Sequence, residues 1–135
     1  MKSKDRTLSL PEIQHEVQFI NEGLGPVEGD EPFRAEVGFI SWRSTQSAVY
    51  EAMLFFRKIK FPAAALYLKS LWPFPVQAIE AFAGRVSKIV VIEETETALL
   101  SKMIREITGL NPVTIVPPPG GSIKAEDIFE KEDWN

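Results

Sequence analysis

The sequence predicts an α/β fold: a three-layer α/β/α arrangement around a mostly parallel sheet of four to five strands. Two observations support this class. Short apolar runs alternate along the chain with stretches of helical periodicity, which is typical of parallel strands joined by crossover helices. The length of 135 residues suits a single domain with a sizeable core.

The predicted strands are the short apolar runs. Four of them occupy residues 36–41, 63–68, 88–93 and 112–116. Right-handed crossovers between them favour parallel pairing. Residues 17–20 have a weaker strand pattern, which predicts an additional edge strand. We therefore divide the chain into an N-terminal extension, residues 1–35, that carries this edge strand, and one domain, residues 36–135.

The first predicted helix covers residues 45–60. Ser44 is its predicted N-cap, because a serine side chain can accept a hydrogen bond from the free amides of the first turn. Apolar side chains recur at helical spacing and predict one buried face, which Leu54 and Phe55 widen. The face consists of Ala48, Val49, Ala52, Met53, Phe56 and Ile59.

Three further helical segments are predicted. The second helix begins at Pro75, whose fixed φ suits the first helical position, and it ends at Gly84. The third spans residues 97–108, and Gly109 after it suits the left-handed conformation that ends many helices. One last helical turn is predicted at residues 125–129.

Composition excludes several classes of function. The chain has no cysteine, so it contains no disulfide, no thiolate nucleophile and no ligand for an iron–sulfur cluster. The net charge of −4 gives no basic surface for nucleic acid. No apolar run approaches the ~20 residues that cross a bilayer, and the first residues lack the apolar core of a signal peptide. We therefore expect a cytoplasmic protein without membrane contact.

Residues 71–75 have the unusual sequence Leu-Trp-Pro-Phe-Pro. Proline disfavours the helical conformation of the residue before it, so Trp72 and Phe74 are predicted to be extended. Large aromatic side chains on a stiff connection suit a protein contact, because they bury much area at a small entropic cost. A place in the core is an equally open interpretation.

Candidate catalytic groups are few. His15 is the single histidine, and in its polar stretch a solvated side chain is a simpler interpretation than a metal ligand or general base. Ser41, Ser44 and Thr45 follow the first main strand, where open sheets often bind ligands. No histidine lies near them in sequence to activate a hydroxyl, so roles in a helix cap and a turn are favoured.

Charged residues also follow two strands. Arg43 suits an anion contact, but no glycine-rich loop accompanies it, so a solvated or interface charge is the simpler interpretation. Glu93 and Glu94 are adjacent, and adjacent strand residues point to opposite faces, which disfavours paired acid–base catalysis. We expect Glu93 to accept hydrogen bonds from neighbouring backbone or another domain. Glu94 and Glu96 are expected to favour the start of the third helix electrostatically.

A set of segments is specific in combination, although each one alone is weak. The segments are residues 39–45 (FISWRST), 48–52 (AVYEA), 71–75 (LWPFP), 90–93 (VVIE), 104–105 (IR), 108–109 (TG), Gly120 and 126–128 (EDI). Together they resemble the C-terminal domain of the α subunit of 2-oxoacid:ferredoxin oxidoreductases, a domain similar to the C-terminal domain of transketolases. The resemblance covers most of the chain from residue 36 onward and implies a transketolase C-terminal-like fold.

The sequence departs from this family at the strand ends. Arg43 stands where the family usually has glycine, and a turn with positive φ would be strained by arginine. Either the local backbone or the contact made there is therefore expected to differ. Glu94, Thr95, Ala98 and Leu99 replace the Gln, Asn, Gly and Gln that are common in relatives.

The resemblance implies one part of a larger enzyme. Members of the family use thiamine diphosphate and iron–sulfur clusters to decarboxylate a 2-oxoacid oxidatively, form an acyl-CoA and pass electrons to ferredoxin. The thiamine cofactor lies between a preceding domain of the α subunit and the β subunit. The resemblance therefore implies no catalytic, cofactor-binding or metal-binding residue in this chain.

We thus expect a structural and subunit-contact domain that is inactive alone. Its expected partners are the rest of the α subunit, the β subunit and, through the complex, ferredoxin. Homodimerisation is a further expectation, since large exposed apolar surfaces rarely stay uncovered. The predicted interface or family-motif residues are Ser41, Trp42, Arg43, Ser44, Thr45, Trp72, Phe74 and Glu93. The alternative function is an independent module that binds a small anion or CoA near Ser41, Trp42 and Glu93.

Overall fold

The structure is a computed structural model that describes residues 15–19 and 34–130. In chain order its elements are β1 (Glu16–Phe19), β2 (Ala35–Trp42), a 3₁₀ turn (Arg43–Thr45), α1 (Gln46–Lys58), β3 (Ala63–Leu68), α2 (Val76–Ala83), β4 (Val86–Ile92), α3 (Leu99–Thr108), β5 (Val113–Ile115) and α4 (Ala125–Phe129). The predicted α/β class is confirmed, and so is the predicted order of helices and strands.

The five strands form one sheet in the order β1-β3-β2-β4-β5. β1 pairs with β3 antiparallel, and all other neighbours are parallel. Ile40 in the central strand β2 pairs with Leu66 on one side and Val91 on the other. All six residues of β3 are buried, as expected for a strand covered on both faces. The predicted edge strand is present as β1, and Ile20 lies outside the described residues.

Two apolar layers cover the faces of the sheet. α1 and α4 pack on one face, where the rings of Phe39 and Phe56 stack with centroids 5.6 Å apart. Phe55 of α1 stacks on Phe129 of α4 at 4.2 Å, which joins these two helices. α2 and α3 pack on the opposite face around Ile79 and other buried residues. This arrangement confirms the predicted three layers.

Gly38 lets α2 approach the sheet closely. A β-carbon at this position would lie 2.6 Å from Cγ1 of Val86 and 2.7 Å from Cε2 of Phe82. Such distances are below van der Waals contact, so any side chain at Gly38 would have to displace the side chains of Val86 and Phe82.

The helix predictions are right in outline and wrong in some details. Five predicted core residues of α1 are buried, but Ile59 is half-exposed because the helix ends at Lys58 and the chain turns away. Leu54 is also exposed. Pro75 precedes the first residue of α2 instead of occupying it. Gly109 has φ of 80°, which confirms the predicted left-handed end of α3.

Candidate functional site

The residues singled out from the sequence meet at one edge of the sheet. β2, β3 and β4 are parallel neighbours, so the segments that follow them lie side by side. We call this region the carboxyl edge and define it as residues 42–45, 69–75 and 93–98. β1 runs antiparallel to β3, so its first residues lie at this edge as well. Ligands of open α/β sheets bind at such an edge.

Glu93 is buried and caps α3. Leu100 donates its backbone N–H to Oε1 at 3.3 Å, and Ser101 donates its backbone N–H to Oε2 at 2.6 Å. The N-cap residue Ala98 has no side-chain acceptor for these amides, so the carboxylate replaces it, at the end where negative charge is favoured. The prediction that Glu93 accepts hydrogen bonds from neighbouring backbone is confirmed.

Glu94 forms hydrogen bonds with the turn before α1, which the sequence did not predict. Its Oε2 accepts the backbone N–H of Ser44 at 3.1 Å and the hydroxyl of Ser44 at 2.7 Å. The hydrogen bond from the Ser44 hydroxyl is the main cause of the lowered pKa of Glu94. Burial acts in the opposite direction, whereas the bond from the Ser44 amide and the charge of Arg43 lower the pKa further. Glu94 therefore stabilises the turn before α1, and its expected electrostatic effect on the start of α3 stays a prediction.

The prediction of Ser44 as N-cap of α1 is wrong. A 3₁₀ turn precedes the helix, so the N-cap residue is Thr45, which makes no side-chain cap bond. The hydroxyl of Thr45 bonds instead to the backbone of Trp42. Ser44 is thus a donor to Glu94, which lies 50 positions away in sequence. No local pattern could have indicated this pairing.

Two residues of the carboxyl edge have the backbone conformation that favours glycine. Arg43 has φ of 63° and Ala98 has φ of 55°, and both stand where the resemblance places glycine in relatives. The left-handed conformation costs about 1–2 kcal/mol for each of these residues. The guanidinium of Arg43 lies over the ring of Trp42, 4.9 Å from its centroid. This cation–π contact offsets part of the cost at Arg43.

The predicted site residues differ widely in exposure. Ser41, Thr45 and Glu93 are buried within the chain, and the hydroxyl oxygen of Ser41 has no hydrogen-bond partner among the described residues. Trp42 is half-buried and packs against the layer of α2 and α3. Arg43 and Ser44 are exposed. The carboxyl edge thus brings these residues together but offers only some of them to another molecule.

The connection after β3 carries the most exposed large apolar side chain of the described residues. Trp72 is 75% exposed, and its backbone N–H and carbonyl both bond to the hydroxyl of Ser70. The peptide bond between Trp72 and Pro73 is cis. Phe74 packs partly buried against the layer of α2 and α3. Of the two interpretations of Trp72, a core position within this chain is therefore wrong, whereas Phe74 belongs partly to the core.

His15 is not the solvated side chain that the sequence predicts. It is partly buried, and its Nδ1 accepts the backbone N–H of Lys69 at 2.9 Å. Burial, and then the positive charge of Lys69, lower the pKa of His15. The ammonium of Lys69 lies 3.4 Å from the carboxylate of Glu16. His15 therefore joins the start of β1 to the end of β3.

A surface groove of about 490 Å³ lies between α1 and the strands β1 and β3, next to the carboxyl edge. Its lining combines polar groups with two tyrosines, and sequence reasoning missed it. It is lined by Glu16, Arg43, Ser44, Gln46, Ser47, Tyr50 and Tyr67. Burial raises the pKa of the Tyr67 phenol, and Tyr50 and Glu16 raise it further. The groove contains one cationic and one anionic side chain, so its charge favours neither an anionic nor a cationic ligand.

Two other kinds of feature are absent from the part of the chain that the structure describes. No group of three or more His, Asp or Glu side chains there converges in a way that could hold a metal ion. No helix there is both long and apolar enough to pass through a bilayer.

Comparison with protein families gives one match that covers most of the chain. The family model described as pyruvate:ferredoxin oxidoreductase core domain II matches residues 35–125. The matched range begins at the first residue of β2 and ends at the first residue of α4. It therefore includes the whole carboxyl edge.

Individual relatives are longer proteins. The chain is 27% identical over 78 residues to 2-oxoacid:ferredoxin oxidoreductase 2, subunit alpha, of Aeropyrum pernix, which is 58% of this chain and 12% of that protein. It is 28% identical over 96 residues to 2-oxoglutarate synthase subunit KorA of Methanothermobacter thermautotrophicus, which is 70% of this chain and 26% of that protein. The chain thus matches about an eighth of the length of the first relative and about a quarter of the length of the second.

A solved structure has the same fold. The structure of 2-oxoglutarate:ferredoxin oxidoreductase from Magnetococcus marinus, with 2-oxoglutarate, coenzyme A and succinyl-CoA bound, superposes with a TM-score of 0.76 and 30% sequence identity. The match covers 94% of this chain and 21% of that chain.

Proposed function

Because the chain belongs to the family of pyruvate:ferredoxin oxidoreductase core domain II, we propose that it is a structural and subunit-contact domain of a 2-oxoacid:ferredoxin oxidoreductase. The domain would stabilise the assembly through its carboxyl edge and would not be catalytic alone. Its partners would be the remaining α-subunit domain and the β subunit. Ferredoxin would be contacted through the assembled complex.

The exposed indole of Trp72 is the observation that carries this proposal. It belongs to the family-like segment 71–75, and it is 75% exposed at the edge where the strands end. Leu99, the first residue of α3 and the residue directly after the carboxyl edge, is 60% exposed. A large exposed aromatic side chain is typical of the centre of a protein interface. Since the relatives are several times longer than this chain, further domains are available to cover it.

The cofactors of the proposed complex would be thiamine diphosphate, iron–sulfur clusters and CoA. Iron–sulfur clusters are held by cysteine thiolates, and this chain has no cysteine, so its residues do not fit a cluster. The carboxylates of Glu93 and Glu94 are already occupied as acceptors for backbone amides. We therefore assign to this chain the positioning of other domains and no step of the reaction.

An affinity experiment tests the contact role. The tagged chain is used to capture interacting proteins from an extract of its own organism, and the captured proteins are identified by mass spectrometry. We expect a thiamine-dependent, cysteine-containing oxidoreductase subunit. Trp72→Ala should reduce its capture at least tenfold. Ile59→Ala is the control, because Ile59 is also an exposed large apolar residue but follows the end of α1, away from the carboxyl edge.

An activity assay tests the claim that the chain is inactive alone. The purified chain is mixed with a 2-oxoacid, CoA, thiamine diphosphate and an electron acceptor, and acyl-CoA is measured. Product formation at a rate above that of the buffer blank would reject the proposal. Capture without activity would support it.

The alternative, a module that binds a small anion or CoA, has less support from the geometry. Ser41 and Glu93 are buried. The backbone N–H of Ser44 already donates to Glu94, so it is not free to bind an anion. The exposed guanidinium of Arg43 is the group that favours it. Calorimetric titration with CoA and with 2-oxoacids separates the two functions, because a saturable signal that Arg43→Ala abolishes would favour the module.

A further inference from the structure

β1 contributes hydrogen bonds to the sheet, and two of its residues have side chains that are largely open to solvent. It pairs over four residues with β3 and lies at the edge of the sheet. Val17, in its middle, is half-exposed, and Glu16 is exposed. β3, in contrast, is buried along its whole length. Polar contacts at its start and middle therefore contribute to the attachment of β1, and a short edge strand with exposed side chains is typical of segments that open locally.

One of these polar contacts requires a neutral histidine. Nδ1 of His15 accepts the backbone N–H of Lys69 at 2.9 Å. A neutral imidazole has one nitrogen that can accept a hydrogen bond, whereas both nitrogens of the imidazolium carry protons. Protonation of His15 at Nδ1 therefore removes the acceptor and places two N–H groups face to face.

The charged groups around His15 favour its release when it is protonated. The ammonium of Lys69 repels an imidazolium, and Glu16, which would attract one, already lies 3.4 Å from that ammonium. From β3, Tyr67 donates its hydroxyl to Gln18, and its raised pKa keeps it neutral. Tyr50 of α1 and Arg43 of the 3₁₀ turn line the groove beside Glu16. Arg43 adds a second positive charge to this side of β1.

We propose that β1 is a pH-sensitive edge strand, which His15 fastens to the end of β3 when it is neutral and releases when it is protonated. Release would expose the outer backbone groups of β3, which are a template for pairing with another strand. The direction follows from linkage. A released His15 binds a proton more readily than a bonded one, so release is favoured as the pH falls below about 6.5, the value of a free histidine.

Amide hydrogen exchange of the full chain at pH 7.5 and pH 5.5 tests this inference. Measured rates are divided by the intrinsic rates at each pH, so that only protection is compared. We expect the protection of residues 16–19 to fall about tenfold at pH 5.5, the size of one lost hydrogen bond, while β2 and β4 keep theirs. Equal protection at both values, or an equal loss in all strands, would overturn the proposal.

Two variants assign the effect to His15. His15→Asn keeps an acceptor near the position of Nδ1 but does not titrate, so β1 should stay protected at both pH values. His15→Phe has no acceptor, so protection should be low at both. A pH-dependent loss in His15→Asn as large as in the wild type would reject the inference, even if His15→Phe failed to fold.

Discussion

The two connections that leave the carboxyl edge after β3 and after β4 occupy equivalent positions but have different surfaces. After β4, Glu93 caps α3 and Glu94 bonds to the turn before α1, so the polar groups are satisfied within the chain. After β3, the indole of Trp72 is left 75% exposed. A position at the strand ends is therefore not enough to make a binding site. Surface that the chain itself does not cover is also required.

The largest expected effect belongs to the connection after β4. Glu93→Ala leaves two amides of α3 without their acceptor, and we expect it to lower the free energy of unfolding by about 3 kcal/mol. Chemical denaturation measures the change. Glu96→Ala is the control on the same connection, because Glu96 is exposed and should change stability by less than about 0.5 kcal/mol. Similar values for the two variants would mean that Glu93 does not fasten α3.

A smaller loss is expected for the second carboxylate. Glu94→Ala removes both bonds from Ser44 at a partly exposed position, so we expect a loss of about 1 kcal/mol. A double-mutant cycle with Ser44→Ala should give a coupling energy clearly above zero. Additive effects of the two substitutions would contradict the contact.

The contact between Ser44 and Glu94 should also depend on pH. Because the pKa of Glu94 is lowered in the folded chain from its ordinary 4.5, the folded state binds the proton less readily than the unfolded state. The stabilisation is therefore complete above about pH 4.5 and is lost as the pH falls through the lower value of the folded state. Glu94→Gln, which does not titrate, should remove this part of the pH dependence of unfolding.

Two residues with positive φ allow a gain in stability. Ala98→Gly relieves the left-handed strain and removes only a methyl group, and we expect a gain of about 0.5 kcal/mol after the added flexibility of the unfolded chain is subtracted. Arg43→Gly should gain less, since it also loses the contact with Trp42. Thermal unfolding of both variants tests whether Ala98→Gly stabilises the chain more than Arg43→Gly does. A lower midpoint for Ala98→Gly than for the wild type would argue against strain at this position.

The connection after β3 should give the smallest change in stability. Because Trp72 is mostly exposed, Trp72→Ala should alter the free energy of unfolding by less than about 0.5 kcal/mol, although we expect it to weaken partner capture strongly. A loss above about 2 kcal/mol would mean that the indole is needed for packing inside the chain. Denaturant titration, read by circular dichroism, makes the measurement.

Local patterns predicted most of the fold. The strand at Ala63–Leu68 and the helix at Ala125–Phe129 have the predicted bounds, because continuous apolar runs and helical spacing are short-range signals. The bonds between Ser44 and Glu94 and between His15 and Lys69 were not predictable. They depend on β2 lying next to β4 and on β1 lying next to β3. The order of the strands in the sheet does not affect the spacing of apolar residues along the sequence, so it could not be predicted from that spacing. The sequence likewise did not decide whether Trp72 lies in the core or on the surface.

The strand order has a consequence for how the chain assembles during synthesis. β2 lies at the centre of the sheet and is the first of the four parallel strands to leave the ribosome, and each later parallel strand joins a free side of a strand already made. β3 adds on one flank, β4 on the other, and β5 then extends β4. Insertion between strands that are already paired is never required, so we expect the nascent polypeptide to build its sheet outward without undoing earlier pairings. Among the described strands, β1 is the exception, because it is synthesised before β3, the strand with which it pairs.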